Sequence, residues 1–133
     1  MQLTLRGETI NIELGQEVTF YQYILNNDKV EFKEDKVVVN FIAEDNFEPR
    51  VAFRNEFHGA TLLHYEMGNF YLSISDKNVL DFLTRKYKVC QEREEHLNRE
   101  IANLVSKIGD LNNDKSKLET LIESTLAKLK EDN

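Results

Sequence analysis

The sequence predicts an α+β chain: a small antiparallel β-sandwich or barrel head in residues 1–75, followed by one long helix in residues 76–133 that forms a parallel dimeric coiled coil. Three observations carry this. Apolar residues alternate with polar ones as far as Ile74, the period of half-buried strands. From Val79 onward they recur at heptad spacing, and the stretch from there to Lys130 has no proline and one glycine, Gly109. The 133 residues, 41% apolar and 31% charged, are one domain's worth of sequence, and the single Cys90 cannot cross-link its own chain.

The strand series begins with Leu3 and Leu5, then Ile10, Ile12 and Leu14, then Val18, Phe20 and Tyr21-Gln22-Tyr23-Ile24-Leu25. It continues through Val30 and Phe32, Val37 to Ile42, Val51 and Phe53, Leu62-Leu63, and Phe70 to Ile74. Turn chemistry separates these runs at Arg6-Gly7, Gly15-Gln16, Asn26-Asn27-Asp28, Glu34-Asp35, Asp45-Asn46 to Pro49, His58-Gly59 and Met67-Gly68-Asn69. Seven or eight short strands joined in this way make a sandwich or barrel. Phe20, Tyr21 and Tyr23 include both phases of one strand, so either that strand is buried on both faces or a ring is left as a contact surface. With the turn residues Phe47 and Phe57, these aromatics are the candidates for contact between heads.

Ser75-Asp76 is a suitable N-cap for the long helix. The a positions of the heptad are Leu80, Tyr87, Glu94, Ile101, Ile108, Lys115, Ile122 and Leu129, and the d positions are Leu83, Cys90, Leu97, Leu104, Leu111, Leu118 and Thr125. Only Glu94, Lys115 and Thr125 break the seam. A two-per-seven stripe sustained over this length is a coiled coil, about 84 Å long at 1.5 Å per residue. Ile at a with Leu at d between Leu97 and Ile122 favours two parallel strands. The dimerisation residues are therefore Leu80, Leu83, Tyr87, Leu97, Ile101, Leu104, Ile108, Leu111, Leu118, Ile122 and Leu129. The flanking charge pairs are weak, with Asp114 facing Glu119 across the dimer, so the core sets partner choice. Helix propensity dips around Gly109-Asp110 and Asn112-Asn113-Asp114, a local soft spot. Leu121 at g and Leu126 at e widen the apolar face near the end.

Net charge is −7, and the first 75 residues hold six basic and twelve acidic side chains. Such a head is a poor phosphate binder, which disfavours direct nucleic-acid binding. No run reaches the roughly 18 apolar residues of a spanning helix, and the N-terminus lacks signal-peptide order. The expectation is an intracellular protein, cytoplasmic or nuclear, without membrane contact. His58 and His64 lie near Glu56 and Glu66, but no third fixed ligand accompanies them, so no metal is expected. No nucleophile elbow or phosphate-cradling glycine loop occurs, so neither catalysis nor a cofactor is expected. Arg85, Lys86 and Lys88 read as a solvated basic patch.

Glu66-Met67-Gly68-Asn69-Phe70-Tyr71-Leu72, Asn78-Val79-Leu80-Asp81-Phe82-Leu83 and Glu94-Glu95-His96-Leu97 carry a resemblance. Over roughly residues 55 to 105 the chain resembles the last head strand and stalk entry of the superfamily of the X-ray repair cross-complementing end-joining scaffold and the centriolar spindle-assembly-abnormal cartwheel protein. The head is short for that superfamily and shows no helical hairpin among its strands, so no family binding residue is carried over. The resemblance implies a non-catalytic homodimeric scaffold that builds a larger complex through head and coil, with itself and other scaffold proteins as partners. Leu62 to Leu104 also looks like the second half of a prefoldin-type chaperone subunit, a family that needs an N-terminal helix; residues 1–60 offer none.

Overall fold

A computed structural model describes residues 1–44 and 50–132. Seven strands, β1 (Gln2–Leu5), β2 (Glu8–Asn11), β3 (Glu17–Asn26), β4 (Lys29–Ala43), β5 (Arg50–Arg54), β6 (Gly59–Thr61) and β7 (Phe70–Tyr71), are joined by a short helix, α1 (Leu62–Met67), and followed by α2 (Asp76–Glu131). The fold is mixed α+β, as the change of period implies. The chain divides into two compact units, Met1–Lys86 and Tyr87–Asn133, so the first turns of α2 belong to the head.

β1 and β2 form a separate hairpin, turned by Arg6 (φ 52°) and Gly7 (φ 81°). Two consecutive positive φ values suit a mirror-image two-residue turn, and glycine takes the second without steric cost. The other five strands form one antiparallel sheet in the order β6-β5-β4-β3-β7. Four of them meander, and β7 returns beside β3 after α1. The two end strands, three and two residues long, do not pair with each other. Neither sheet closes, so the barrel alternative does not form.

One expected turn and one expected strand are different in the fold. Glu34-Asp35 is not a turn but lies in the middle of β4, opposite Tyr21 and Phe20 of β3. The tight connection at Asn27 (φ 57°) locks a ten-pair register that carries the strand through both charges. Asp35 is kept there by the Tyr65 hydroxyl, which donates to it at 3.0 Å. Leu62-Leu63 is not a strand but opens α1, which turns Leu62 and Tyr65 toward the core; an apolar run this short does not distinguish helix from strand. Gly68 closes the helix, its N–H donating to His64 O at 3.2 Å.

The larger core lies on one face of the five-stranded sheet. Val18, Phe20, Val37, Val39, Val51 and Phe53 meet Leu3, Leu5 and Ile12 from the hairpin region, Tyr65 from α1, and Phe70. Phe20 stacks on Tyr65 with centroids 3.8 Å apart, and Phe53 meets Phe20 edge-on at 5.3 Å. On the opposite face Tyr23, Tyr71 and Phe82 form a second cluster, flanked by Tyr21, Val30 and Val79. The β3 aromatics are thus shared between two cores. Phe20 (0% exposed) and Tyr23 (1%) are interior, which removes both as contact surfaces between heads. Their burial follows from helix residues covering the face that an isolated sheet would leave wet.

Candidate functional site

α2 begins where local chemistry directs it. Asn78 N–H donates to Ser75 Oγ at 3.1 Å and Val79 N–H to Ser75 O at 2.9 Å, so Ser75 caps the helix. Asn78 is buried, and its Nδ2 donates to Glu8 Oε1 at 2.7 Å, Ser73 O at 3.1 Å and Ser73 Oγ at 3.2 Å. The Ser73 hydroxyl donates to the same carboxylate, and the Tyr23 hydroxyl donates to Ser73 O at 2.8 Å. The network binds the β1–β2 hairpin, the sheet and the helix start into one unit, and a buried amide is tolerated only when it is bonded in this way.

A second anchor lies one helical turn on. Tyr71 donates to Asp81 Oδ2 at 2.7 Å, and Arg85 Nε donates to the same oxygen at 2.8 Å. Burial pushes the Tyr71 hydroxyl well above its ordinary range, and the Asp81 carboxylate that accepts its proton adds to this. Burial alone would raise the Asp81 carboxyl, but the hydrogen bonds from Tyr71 and Arg85 outweigh it and hold the group below its usual value. The basic patch is therefore partly engaged: Arg85 is paired, and Lys86 Nζ sits 5.6 Å from the Phe82 ring centre.

Beyond this anchor every described residue of α2 from Leu83 is exposed. The helix is unbroken through Gly109 and residues 112–114. Its apolar residues keep heptad spacing with nothing over them: Leu97 is 49% exposed, Ile101 and Leu104 are each 58%, and Leu111 is 67%. Leu80, Leu83, Tyr87, Ile108, Leu118, Ile122 and Leu129 are likewise exposed, as are Leu121 and Leu126. Cys90 is a free, exposed thiol at a d position.

On the head, Phe57 is 89% exposed. Asn55 holds its turn, its Oδ1 accepting from the N–H groups of both Phe57 and His58 at 2.8 and 2.9 Å. Phe57, His58, Asn55, His64 and Met67 line an open groove of about 1470 Å³ whose floor includes Gln22, Lys33 and Asp35. Tyr21 is half-buried. Phe47 and the expected turn from Asp45 to Pro49 lie outside the described residues. The His58 and His64 rings are 6.4 Å apart. Among the described residues no group of three or more His, Cys, Asp or Glu side chains could hold a metal, and no helix is long and apolar enough to cross a membrane.

The Glu8–Ser73–Asn78 network and the Tyr65–Asp35 and Tyr71–Asp81 pairs escape sequence reasoning. Only the spacing Ser75-x-x-Asn78 hints at the first. No protein-family model, curated protein or solved structure matches the chain.

Proposed function

We propose that the chain is a non-catalytic scaffold subunit, a parallel homodimer joined along the α2 seam that presents two copies of the head for assembly with further copies or other scaffold proteins. The observation that carries this is the exposed heptad seam from Leu83 onward on a helix whose first turns are fixed to the head. A helix this long is not held by propensity alone but by covering an apolar face, and each Leu or Ile removed from water contributes about 1.5–3 kcal/mol when fully buried. Ile at a with Leu at d supports two parallel strands. Leu121 at g meets Leu126 of the second chain at e in that arrangement, which gives the widened apolar end an occupant.

Replacing Ile101 and Leu104 together with Glu tests the seam, because four carboxylates would be forced into the dimer core at a loss of several kcal/mol. Sedimentation should then give the monomer mass with the head still folded; an unchanged dimer mass would show that the seam lies elsewhere. For the head, Phe57 is the exposed member of the aromatic set among the described residues. Phe57→Glu should leave the coil dimer intact and diminish larger species. Two weak head contacts on one dimer build assemblies by avidity.

A further inference from the structure

β4 leaves half of its length without a second neighbour. β3 pairs with it from Lys29 to Val38, but β5 joins only from Val38 onward. Among the described residues, Lys29 to Val37 therefore has a strand on one side alone. The connection from Asn26 to Lys29 is a two-residue turn, which makes Asn26 and Lys29 a hydrogen-bonded pair. Along the ladder, odd-numbered β4 residues then bond to β3, while Val30, Phe32, Glu34 and Lys36 turn their N–H and C=O groups outward. Such an edge is a template for another strand, and charged side chains normally protect it.

The charges on this edge are ordered. Asp28-Lys29-Val30-Glu31-Phe32-Lys33-Glu34-Asp35-Lys36 is nearly its own charge complement when reversed about Phe32. An antiparallel second copy with Phe32 opposite Phe32 sets Glu31 against Lys33, Lys29 against Asp35 and Asp28 against Lys36, each pair occurring twice by two-fold symmetry. Moving the centre to Glu34 leaves only Lys33 and Asp35 matched and puts Glu34 against Glu34 and Phe32 against Lys36. Moving it to Val30 leaves only Lys29 and Glu31 matched. The Phe32 register also satisfies the backbone, because Phe32 has its free groups outward. Its ring, edge-on to Tyr23 at 4.7 Å, is still 40% exposed in one chain and would be covered by its symmetry mate.

We infer that the β4 edge is a self-association surface to which a second copy of this chain adds antiparallel across Phe32, joining two five-stranded sheets into one. This rests on the head self-association proposed above and names the surface that carries it. A strip of this length is a small interface; its charges favour the Phe32 register over the neighbouring ones, and its copies on linked heads act together.

Charge exchange in the full-length chain tests it, read by sedimentation velocity over a rising concentration series. Glu31→Lys alone and Lys33→Glu alone each set like charges face to face and weaken head association roughly tenfold. An equimolar mixture of the two single variants, or the double variant, brings opposite signs together again and restores it. In the native chain the Phe32 and Glu34 amides become slow to exchange hydrogen as the larger species form. The inference is overturned if the native chain forms no larger species, if either single variant associates like the native chain, if the mixture fails to recover, or if those amides remain fast. In an Ile101→Glu, Leu104→Glu background the same charge pattern is read as a monomer–dimer equilibrium, so failure of the coil and failure of the edge give different results. Should Phe57→Glu abolish larger species while the charge exchanges do not, head association stands and the edge is excluded.

Discussion

Asn78 is a buried polar residue, and its amide donates to three acceptors at the point where sheet, hairpin and helix meet. Asn78→Leu keeps the volume but removes the bonds that the amide donates to Glu8 and Ser73, leaving only those from Ser73 to Glu8 and from Tyr23 to Ser73 O, a cost of about 1–3 kcal/mol; urea unfolding of the head should show it as a lower midpoint with an unchanged slope. Asp81 makes the anchor acid-sensitive. Its folded carboxyl titrates below the unfolded one, so its contribution is present above about pH 3.9 and is lost as pH falls through the folded value. Asp81→Asn should flatten that acid limb in urea midpoints measured against pH; an identical limb would remove Asp81 from the account. Tyr65 and Tyr71 act in the opposite sense, since burial raises both hydroxyls. Their contribution is present below about pH 10 and is lost at higher pH. Little of this was legible beforehand, because Asp35 and Glu8 look like ordinary surface carboxylates until a distant tyrosine or asparagine is brought to them.

Elements were more legible where their period was long. The ten-residue β3 and the 56-residue α2 are both visible in the spacing of their apolar residues, and the Arg6-Gly7 turn is visible in its chemistry. Short elements were not. Leu62 to Met67 is too brief to show a helical period, and Glu34-Asp35 has turn composition inside a strand because its partner register, set at Asn26 to Lys29, overrides local preference. The phase change along β3 was readable only as an ambiguity, which the second core on the Tyr23 face decides. α2 remains helical through Gly109 despite the propensity dip. A Cβ at Gly109 meets nothing within 4 Å, and the position is outside the seam. Gly109→Ala should therefore stabilise the helix by about 1 kcal/mol, seen as a higher melting midpoint of the helical signal with unchanged mass; a lower midpoint would mean that the outer face of the helix is also covered.

For the whole molecule, the division into a β unit and a long helix was readable from the change of period at Ser75-Asp76. The compact head nevertheless continues to Lys86, since Val79 and Phe82 serve its second core before the heptad seam takes over. Two faces of the helix are thus used: Asn78, Val79 and Phe82 cover the sheet, while Leu80, Leu83 and the later a and d residues carry an apolar stripe that the single chain leaves exposed. The proposed parallel, in-register homodimer would cover that stripe. Cys90 reports on it directly, because it is the only cysteine in the chain and occupies a d position. In a parallel in-register pair the two thiols face each other across the seam, within disulfide reach; in an antiparallel pair centred on the helix they would be tens of ångströms apart, at about 1.5 Å per residue. Mild oxidation of the native dimer should give a rapid, near-complete Cys90–Cys90 dimer that Cys90→Ser abolishes and that urea slows. A chain that is dimeric by mass yet forms no Cys90 cross-link, or one that stays monomeric throughout, would contradict the account.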